Sequence, residues 1–248
     1  MDGQYTSISY FYDKLNSEVD YPAWTDHICR RLEENGIEKG RLVLDLACGT
    51  GTVALGLAEK GYDVIGVDLS AEMLNAAREK DRDGKVLWLL QDMTDFELYG
   101  TVGAIVCCLD SVNYILKKDH LARFFSLCRN YLDPDGILIF DVNSPYKFRN
   151  VYGNNHYILE DDGVYCGWKN YFNPKTGICD FELSFFAEGE NGWERYDETQ
   201  CEKMWSPRTL ETLLKDNSFT IIGKMADLDG SPVDETSERI HYVCNVNK

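Results

Sequence analysis

The stretch LDLACGTG, residues 44–51, combines an apolar run, a carboxylate and two glycines one residue apart. Around it, RLVLDLA (41–47) is typical of a buried strand, and TVALGLAEKG (52–61) of a helix that ends in glycine. A strand, a glycine-rich turn and a helix form the framework that brings a nucleotide-like ligand to a helix N-terminus. The stretch therefore predicts the first β–α unit of an open α/β sheet, with a ligand at its turn.

The alternation of apolar strands and helical patterns continues on both sides of this unit. Helices are expected at 22–35, 70–80, 118–132 and 206–217, and further strands at 63–69, 85–92, 102–110, 135–142, 219–225 and 239–246. Strands separated by helices indicate a parallel, doubly wound sheet. The fold class is therefore α/β, with a Rossmann-like, mostly parallel sheet of seven strands.

After Pro145 the pattern changes to closely spaced turns. Turn signals occur at DDG (161–163), NPKTG (173–177) and EGENG (188–192), and ICDFELSFF (178–186) alternates apolar and polar residues. Such alternation is typical of a half-buried antiparallel strand. We predict a small antiparallel β insert after strand 5. It would form a lid domain at 146–205, and residues 1–145 and 206–248 would form the main domain.

The chain of 248 residues is strongly acidic, with 42 Asp and Glu against 25 Lys and Arg and a net charge of −17. This balance argues against binding to nucleic acid or to an anionic membrane. The N-terminus lacks the pattern of a signal peptide, and no apolar stretch has the length of a membrane span. The nine cysteines include no C-x-x-C spacing, so we expect reduced thiols, no metal site and a cytoplasmic location.

The glycine turn alone does not identify the ligand. Gly49, Gly51 and Ala54 fit G-x-G-x-x-A, which a dinucleotide site would also show, and Asp68 suits a ribose of either NAD or S-adenosylmethionine. Asp45 does discriminate, because a pyrophosphate at this turn would meet its negative charge. S-adenosylmethionine has no phosphate, and its ammonium group would be attracted by that carboxylate. Asp45 therefore favours S-adenosylmethionine over NAD.

Taken together, VLDLACGTG (43–51), VDLS (67–70) and QDM (91–93) resemble the class I S-adenosylmethionine-dependent methyltransferases over residues 40–145. CLDSVNYI (108–115) and the insert resemble their small-molecule branch, which includes sugar-amine N,N-dimethyltransferases and uncharacterised bacterial relatives. The resemblance implies that S-adenosylmethionine is the cofactor and S-adenosylhomocysteine the product.

The resemblance also implies roles for particular residues. The methionine half of the cofactor would be lined by Asp45, Ala47, Gly49 and Gly51, and the methyl group would be bordered by Leu109 and Asp110. Both ribose hydroxyls would be held by Asp68, with Leu69 and Met73 around the adenosine. Adenine would be met by the Asp92 carboxylate and the Met93 backbone, and the N-terminal segment would close over the cofactor with Tyr12 and Tyr21.

For the acceptor we expect a small amine, placed by Asn113 and Tyr114 with Tyr12 opposite. These three are the candidate catalytic residues. WERYDE (193–198) and Asp110 would give the pocket a negative potential that gathers ammonium ions. Methylation of oxygen or of a protein, a cofactor-binding module without catalysis, and an NAD-dependent oxidoreductase are the alternatives. The sequence does not identify the acceptor or the oligomeric state.

Overall fold

The computed structural model describes residues 18–161, 163–189 and 192–246. Its helices are α1 (Tyr21–Glu34), α2 (Thr52–Glu59), α3 (Ala71–Lys80), α4 (Lys118–Tyr131) and α5 (Pro207–Asp216). A 3₁₀ helix (Ser111–Tyr114) and a π-helical turn (Lys147–Tyr152) are shorter. Within these ranges, no helix has both the length and the apolar character needed to cross a bilayer.

Seven strands form one sheet in the order β10-β11-β5-β4-β1-β2-β3. They are β1 (Leu42–Leu46), β2 (Asp63–Asp68), β3 (Val86–Leu90), β4 (Val102–Cys107), β5 (Leu132–Asn143), β10 (Phe219–Met225) and β11 (Arg239–Val246). The pairs among β3, β2, β1, β4 and β5 are parallel, and β11 runs antiparallel to both β5 and β10. The predicted seven-stranded, mostly parallel sheet is confirmed. β5 begins earlier than expected because Leu132 already pairs with Val102.

The core has two layers because successive side chains of a strand point to opposite faces of the sheet. In β1, Val43 packs on the face covered by α1 and α2, whereas Leu44 packs on the face covered by α4 and α5. Both side chains are fully buried. The uninterrupted apolar strands of the sequence follow from this covering of both faces.

The remaining four strands form a separate antiparallel sheet in the order β6-β7-β8-β9. They are β6 (His156–Asp161), β7 (Val164–Asn173), β8 (Ile178–Gly189) and β9 (Gly192–Lys203), and they lie in the chain between β5 and α5. The predicted antiparallel insert is confirmed. Met73 of α3 packs with Val164, Leu183 and Phe185 of this sheet, so the insert contacts the main sheet's layer of helices.

Two helices are capped by the serines at which their predicted ranges, 70–80 and 206–217, begin. The Ser70 hydroxyl accepts a hydrogen bond from Met73 N at 3.1 Å, and the Ser206 hydroxyl accepts one from Thr209 N at 3.1 Å. Each bond satisfies one of the amide groups that the first turn of a helix leaves without a backbone partner. The cap at Ser70 also fixes the direction of the chain directly after Asp68.

All nine cysteines are free thiols, and seven of them are buried. Burial raises the pKa of the Cys107 and Cys108 thiols well above the ordinary value. These two residues act as small apolar side chains at the end of β4.

Candidate active site

The turn after β1 needs its glycines for two different reasons. Ala47, Gly49 and Gly51 all have a left-handed backbone, with φ of 55°, 55° and 78°. A Cβ on Gly51 would lie 2.4 Å from Cη2 of Trp88, whereas one on Gly49 would point into open space. Gly51 therefore permits packing against β3, and Gly49 leaves the backbone bare toward a cavity.

That cavity lies at the carboxyl ends of β1, β2 and β4, where ligands bind in open α/β sheets. Its larger part opens to solvent and has about 740 Å³ of empty space, that opening included. It is lined by Ala47, Gly49, Asp68, Leu69, Ser70, Met73, Gln91, Asp92, Met93, Leu109, Ser111 and Tyr114. A smaller part of about 370 Å³ shares four of these residues and adds Tyr21, Asp45, Cys48, Thr50, Thr52, Val53 and Cys108. The structure thus brings most of the predicted cofactor residues to one cavity.

Asp45 is buried in the smaller part with an unpaired oxygen. The residue is 2% exposed, and its Oδ2 has no hydrogen-bond partner among the described residues. Burial, and secondarily the nearby charge of Asp68, raises the pKa of the Asp45 carboxyl to about 8. An unpaired buried carboxylate is costly. Asp45 is therefore suited to a cationic ligand group that would offset this cost.

Asp68 connects the glycine turn to the end of β2. Its Oδ2 accepts a hydrogen bond from Gly49 N and its Oδ1 accepts one from Ser70 N, both at 2.8 Å. Burial raises the pKa of this carboxyl, and the backbone hydrogen bonds oppose that shift. A carboxylate oxygen accepts more than one hydrogen bond, so Asp68 can still bind two hydroxyl groups of a ligand.

Elsewhere the larger part combines apolar side chains with one further acid. Leu69 is 65% exposed, which is a high value for an apolar side chain, so it offers an apolar surface to a ligand. Met73 also lines this part of the cavity. The Oδ1 of Asp92 accepts hydrogen bonds from the backbone N and the hydroxyl of Thr94, at 2.7 and 2.8 Å. These bonds hold the Asp92 carboxylate at the cavity next to Met93.

Together these groups match the parts of S-adenosylmethionine. The roles that the resemblance implies fall to side chains at this cavity: Asp45 for the ammonium, Asp68 for the ribose hydroxyls, Asp92 for the adenine amino group and the apolar side chains for the adenosine rings. A seven-stranded sheet of this order with such a cavity defines the class of methyltransferases that use this cofactor.

The comparisons with known proteins agree with this class. The family model described as "Methyltransferase domain" matches residues 43–136. A protein of Geobacillus sp. (strain WCH70), classed as a methyltransferase without a stated acceptor, is 33% identical over 242 residues, which cover 96% of this chain and 98% of that one. The crystal structure of an S-adenosylmethionine-dependent methyltransferase from Clostridium acetobutylicum ATCC 824 is 34% identical, covers 98% of this chain and 99% of that one, and superimposes with a TM-score of 0.89. The chain belongs to the S-adenosylmethionine-dependent methyltransferases, and S-adenosylmethionine is its cofactor.

Two further relatives carry names that state an acceptor. The glycine/sarcosine N-methyltransferase of Halorhodospira halochloris is 33% identical over 197 residues, which cover 71% of this chain and 67% of that one. A dTDP-3-amino-3,4,6-trideoxy-alpha-D-glucopyranose N,N-dimethyltransferase of Streptomyces venezuelae is 30% identical over 140 residues, which cover 56% of each chain. The predicted resemblance to the sugar-amine branch is thereby confirmed.

Asp110 differs from its prediction. It does not line the cavity, and its Oδ1 accepts a hydrogen bond from Nη2 of Arg239 at 2.7 Å. Arg239 also binds the fully buried Asp141, which in turn accepts a hydrogen bond from Asp110 N. Asp110 is therefore held in an ion pair with Arg239 and does not present its carboxylate to the cavity as the sequence led us to expect.

Asn113 also differs from its prediction. Its side chain is fully buried, its Nδ2 donates to the carbonyl of Lys203 at 2.9 Å, and its Oδ1 accepts from Asn143 N at 2.9 Å. This geometry contradicts a direct contact with the acceptor. Asn113 instead ties the 3₁₀ helix to β5 and β9.

The three tyrosines have separate outcomes. Tyr114 lines the larger part of the cavity, and its hydroxyl donates to Oε1 of Gln200 at 2.9 Å. Tyr21 lines the smaller part, at the first residue of α1. Tyr12 lies outside the described residues.

Several polar residues near Tyr114 were not predicted from the sequence. In β9, Gln200 and Glu202 are 5% and 3% exposed, and Glu198 is half-buried on the same side of the strand. We call Glu198, Gln200 and Glu202 the β9 inner face. Of the predicted acidic segment, Glu194 and Asp197 are exposed, and Asp197 pairs with Arg195. Within the predicted acidic segment 193–198, Glu198 is therefore the acid whose position fits a negative charge that faces inward.

Proposed function

We propose that this methyltransferase acts on a small-molecule amine. The observation that carries the proposal is the β9 inner face, which places an amide between two carboxylates and adjoins the cofactor cavity through the hydrogen bond from Tyr114 to Gln200. Side chains two apart on a strand lie on the same face, so the two carboxylates act on the same space. A carboxylate on this face attracts the ammonium group of an acceptor.

Bound S-adenosylmethionine supplies a methyl group on a cationic sulfur, which an amine lone pair displaces in line. In the proposal, the chain's part is to hold the cofactor through Asp45, Asp68 and Asp92, and to hold the acceptor between Tyr114 and the β9 inner face. Domain residues 146–205 would then form the acceptor's wall, and the main domain the cofactor site. The two relatives that are named for amine acceptors support this direction.

An ammonium acceptor has to lose a proton before its lone pair can attack. On the β9 inner face, Glu202 is suited to take it. Burial, followed by the nearby charge of Asp110, raises the pKa of Glu202 to about 8, which lies near the pH at which a general base works best. Its Oε2 is held by Nδ2 of Asn143 at 2.9 Å, so the carboxyl has a fixed orientation.

The test is a turnover assay that detects S-adenosylhomocysteine and locates the new methyl group by mass spectrometry. The acceptors are matched sets in which only the functional group changes: glycine, sarcosine and glycolate, and the dTDP-3-amino sugar named above beside its 3-hydroxy counterpart. We expect methylation on nitrogen by the wild type and its loss in Asp68→Ala. Preferred methylation of a hydroxyl or carboxylate would overturn the amine proposal. Binding of S-adenosylhomocysteine without transfer to any amine would favour a module without catalysis.

A further inference from the structure

Three side chains form a hydrogen-bonded series that begins at the cofactor cavity. The Tyr114 hydroxyl donates to Oε1 of Gln200 at 2.9 Å, and Nε2 of Gln200 donates to Oε1 of Glu198 at 3.0 Å. Gln200 is 5% exposed, so its amide has little access to water as a substitute partner. Buried polar groups of this kind are held in place by the bonds they make.

The chemistry of the series fixes the direction of each bond. A glutamate carboxylate accepts hydrogen bonds and does not donate them, so the NH₂ end of Gln200 has to face Glu198. The carbonyl end of the same amide therefore faces Tyr114, and a carbonyl oxygen also only accepts. The single proton of the Tyr114 hydroxyl is consequently committed to Gln200. Any other group that binds the phenolic oxygen has to donate to its lone pairs.

We propose that Gln200 is a positioning residue that orients the Tyr114 hydroxyl, so that the phenolic oxygen accepts a hydrogen bond from the N–H group of the acceptor. This inference rests on the proposed function and adds a selection rule to it. An amine can donate a hydrogen bond to the phenolic oxygen. A carboxylate or a carbonyl has no proton to donate, so its lone pairs would repel those of the phenolic oxygen. An alcohol can rotate its proton toward the oxygen, so it is rejected less strongly than a carboxylate.

The neighbours of the series strengthen the rule. Glu202 lies two residues further along the same inner face, and its Oε2 accepts a hydrogen bond from Nδ2 of Asn143. Residues 199 and 201 point to the opposite side of β9, where Cys201 contacts Asp180. Of the β9 side chains, Gln200 turns its carbonyl end toward the Tyr114 hydroxyl, which leaves the donor role at the phenolic oxygen to the substrate.

A double-mutant cycle tests whether Gln200 acts through Tyr114. Gln200→Met keeps the length of the side chain and removes the acceptor oxygen, and Tyr114→Phe removes the hydroxyl. With the amine that the turnover assay selects, we expect each single change to lower kcat/KM by about tenfold or more and the double variant to be no worse than Tyr114→Phe. Affinity for S-adenosylhomocysteine should stay at the wild-type value. The matched control is Thr199→Val, an exposed hydroxyl on the opposite side of the same strand, which should leave kcat/KM unchanged.

A second readout does not depend on the acceptor. With tyrosine labelled with ¹³C at the ring carbon that carries the oxygen, Tyr114→Phe identifies the Tyr114 resonance in the complex with S-adenosylhomocysteine. We expect Gln200→Met to shift that resonance and Thr199→Val to leave it in place, because only the former removes the partner of the hydroxyl proton.

The two readouts separate the possible failures. Additive losses in the cycle, or an unshifted resonance in Gln200→Met, would overturn the role of Gln200 even if an amine is methylated. If no amine is methylated, the proposed function fails, and the resonance still decides the direction of the hydrogen bond. A loss of kcat/KM in proportion to lost thermal stability would also contradict a positioning role.

Discussion

Asp45 and Asp110 are two acids near the same edge of the sheet, yet their surroundings are opposite. Asp45, near the end of β1, is buried with one oxygen that has no hydrogen-bond partner among the described residues. Asp110, three residues after β4, is bonded to Arg239, which is itself shared with Asp141. The first acid lines the cavity and the second does not.

The difference separates a binding charge from a structural one. A carboxylate that already has an internal counter-charge gains little from a ligand, and removing its partner leaves a buried charge uncompensated. A buried carboxylate oxygen without a partner is held at a cost that a cationic ligand group can offset. We infer that Asp45 is kept for the ammonium of the cofactor, whereas Asp110 stabilises the fold beneath the acceptor side.

The largest effect is expected from removing the proposed acceptor side, the insert, from the cofactor-binding domain. Replacement of residues 146–205 by a short Gly/Ser loop removes the β9 inner face and leaves every strand of the seven-stranded sheet in the chain. We expect turnover to be abolished and some binding of S-adenosylhomocysteine to remain, as measured by product formation and calorimetry. Methyl transfer to the same acceptor by this variant would show that the insert is not its wall.

The structural role of Asp110 is tested by removing its counter-charge, Arg239. Arg239→Met leaves Asp110 and the fully buried Asp141 without their cation, and we expect the free energy of unfolding to fall by about 3–5 kcal/mol. The control is Arg195→Met, which breaks the exposed pair with Asp197 and should cost less than about 1 kcal/mol. Denaturant unfolding measures both. Equal effects of the two changes would contradict a structural role for the buried pair.

On the binding side, Asp68→Ala removes a carboxylate that we expect to accept two ribose hydroxyls. Hydrogen bonds to charged groups contribute about 1.5–3 kcal/mol each, so affinity for S-adenosylhomocysteine should fall by at least about tenfold. Asp68→Asn keeps one acceptor oxygen and should lose less. Unchanged affinity in a folded Asp68→Ala protein would remove this residue from the site.

A smaller, graded effect is expected from pH. Since the pKa of Asp45 is raised to about 8, its carboxyl is protonated in the free protein at lower pH and has to ionise to bind an ammonium. Affinity for S-adenosylhomocysteine should therefore rise between pH 6 and pH 8, by less than about tenfold per pH unit. The same shift makes the contribution of Asp45 to stability largest below about pH 4, and that contribution is lost as the pH rises toward 8. In Asp45→Asn the affinity should be flat over this range; a matching slope in that variant would assign the titration to another group.

The sequence predicted the cofactor side better than the acceptor side, for physical reasons. The turn around Gly49 and Gly51 is local, so its ligand could be inferred from residues a few positions apart. The partner of Asp110 is Arg239, which lies 129 residues away on a strand that pairs with β5. No local sequence pattern predicts a contact over this separation. The sequence of β9, GWERYDETQCEK, is polar on both sides of the strand. The alternation of apolar and polar residues that marks an inward face is therefore missing. For this reason Gln200 and Glu202 were not predicted to face inward.

The most direct test of the contrast is a calorimetric titration of S-adenosylhomocysteine into the wild type, Asp45→Asn and Asp110→Asn. Asparagine keeps the shape of each side chain and tolerates the left-handed backbone of Asp110, whose φ is 57°. We predict that Asp45→Asn weakens binding by about 10²–10³-fold, the loss expected for one partner of a buried ion pair. Asp110→Asn should bind within about threefold of the wild type while its thermal stability falls. Wild-type affinity in Asp45→Asn, or an equal loss in both variants, would contradict the account.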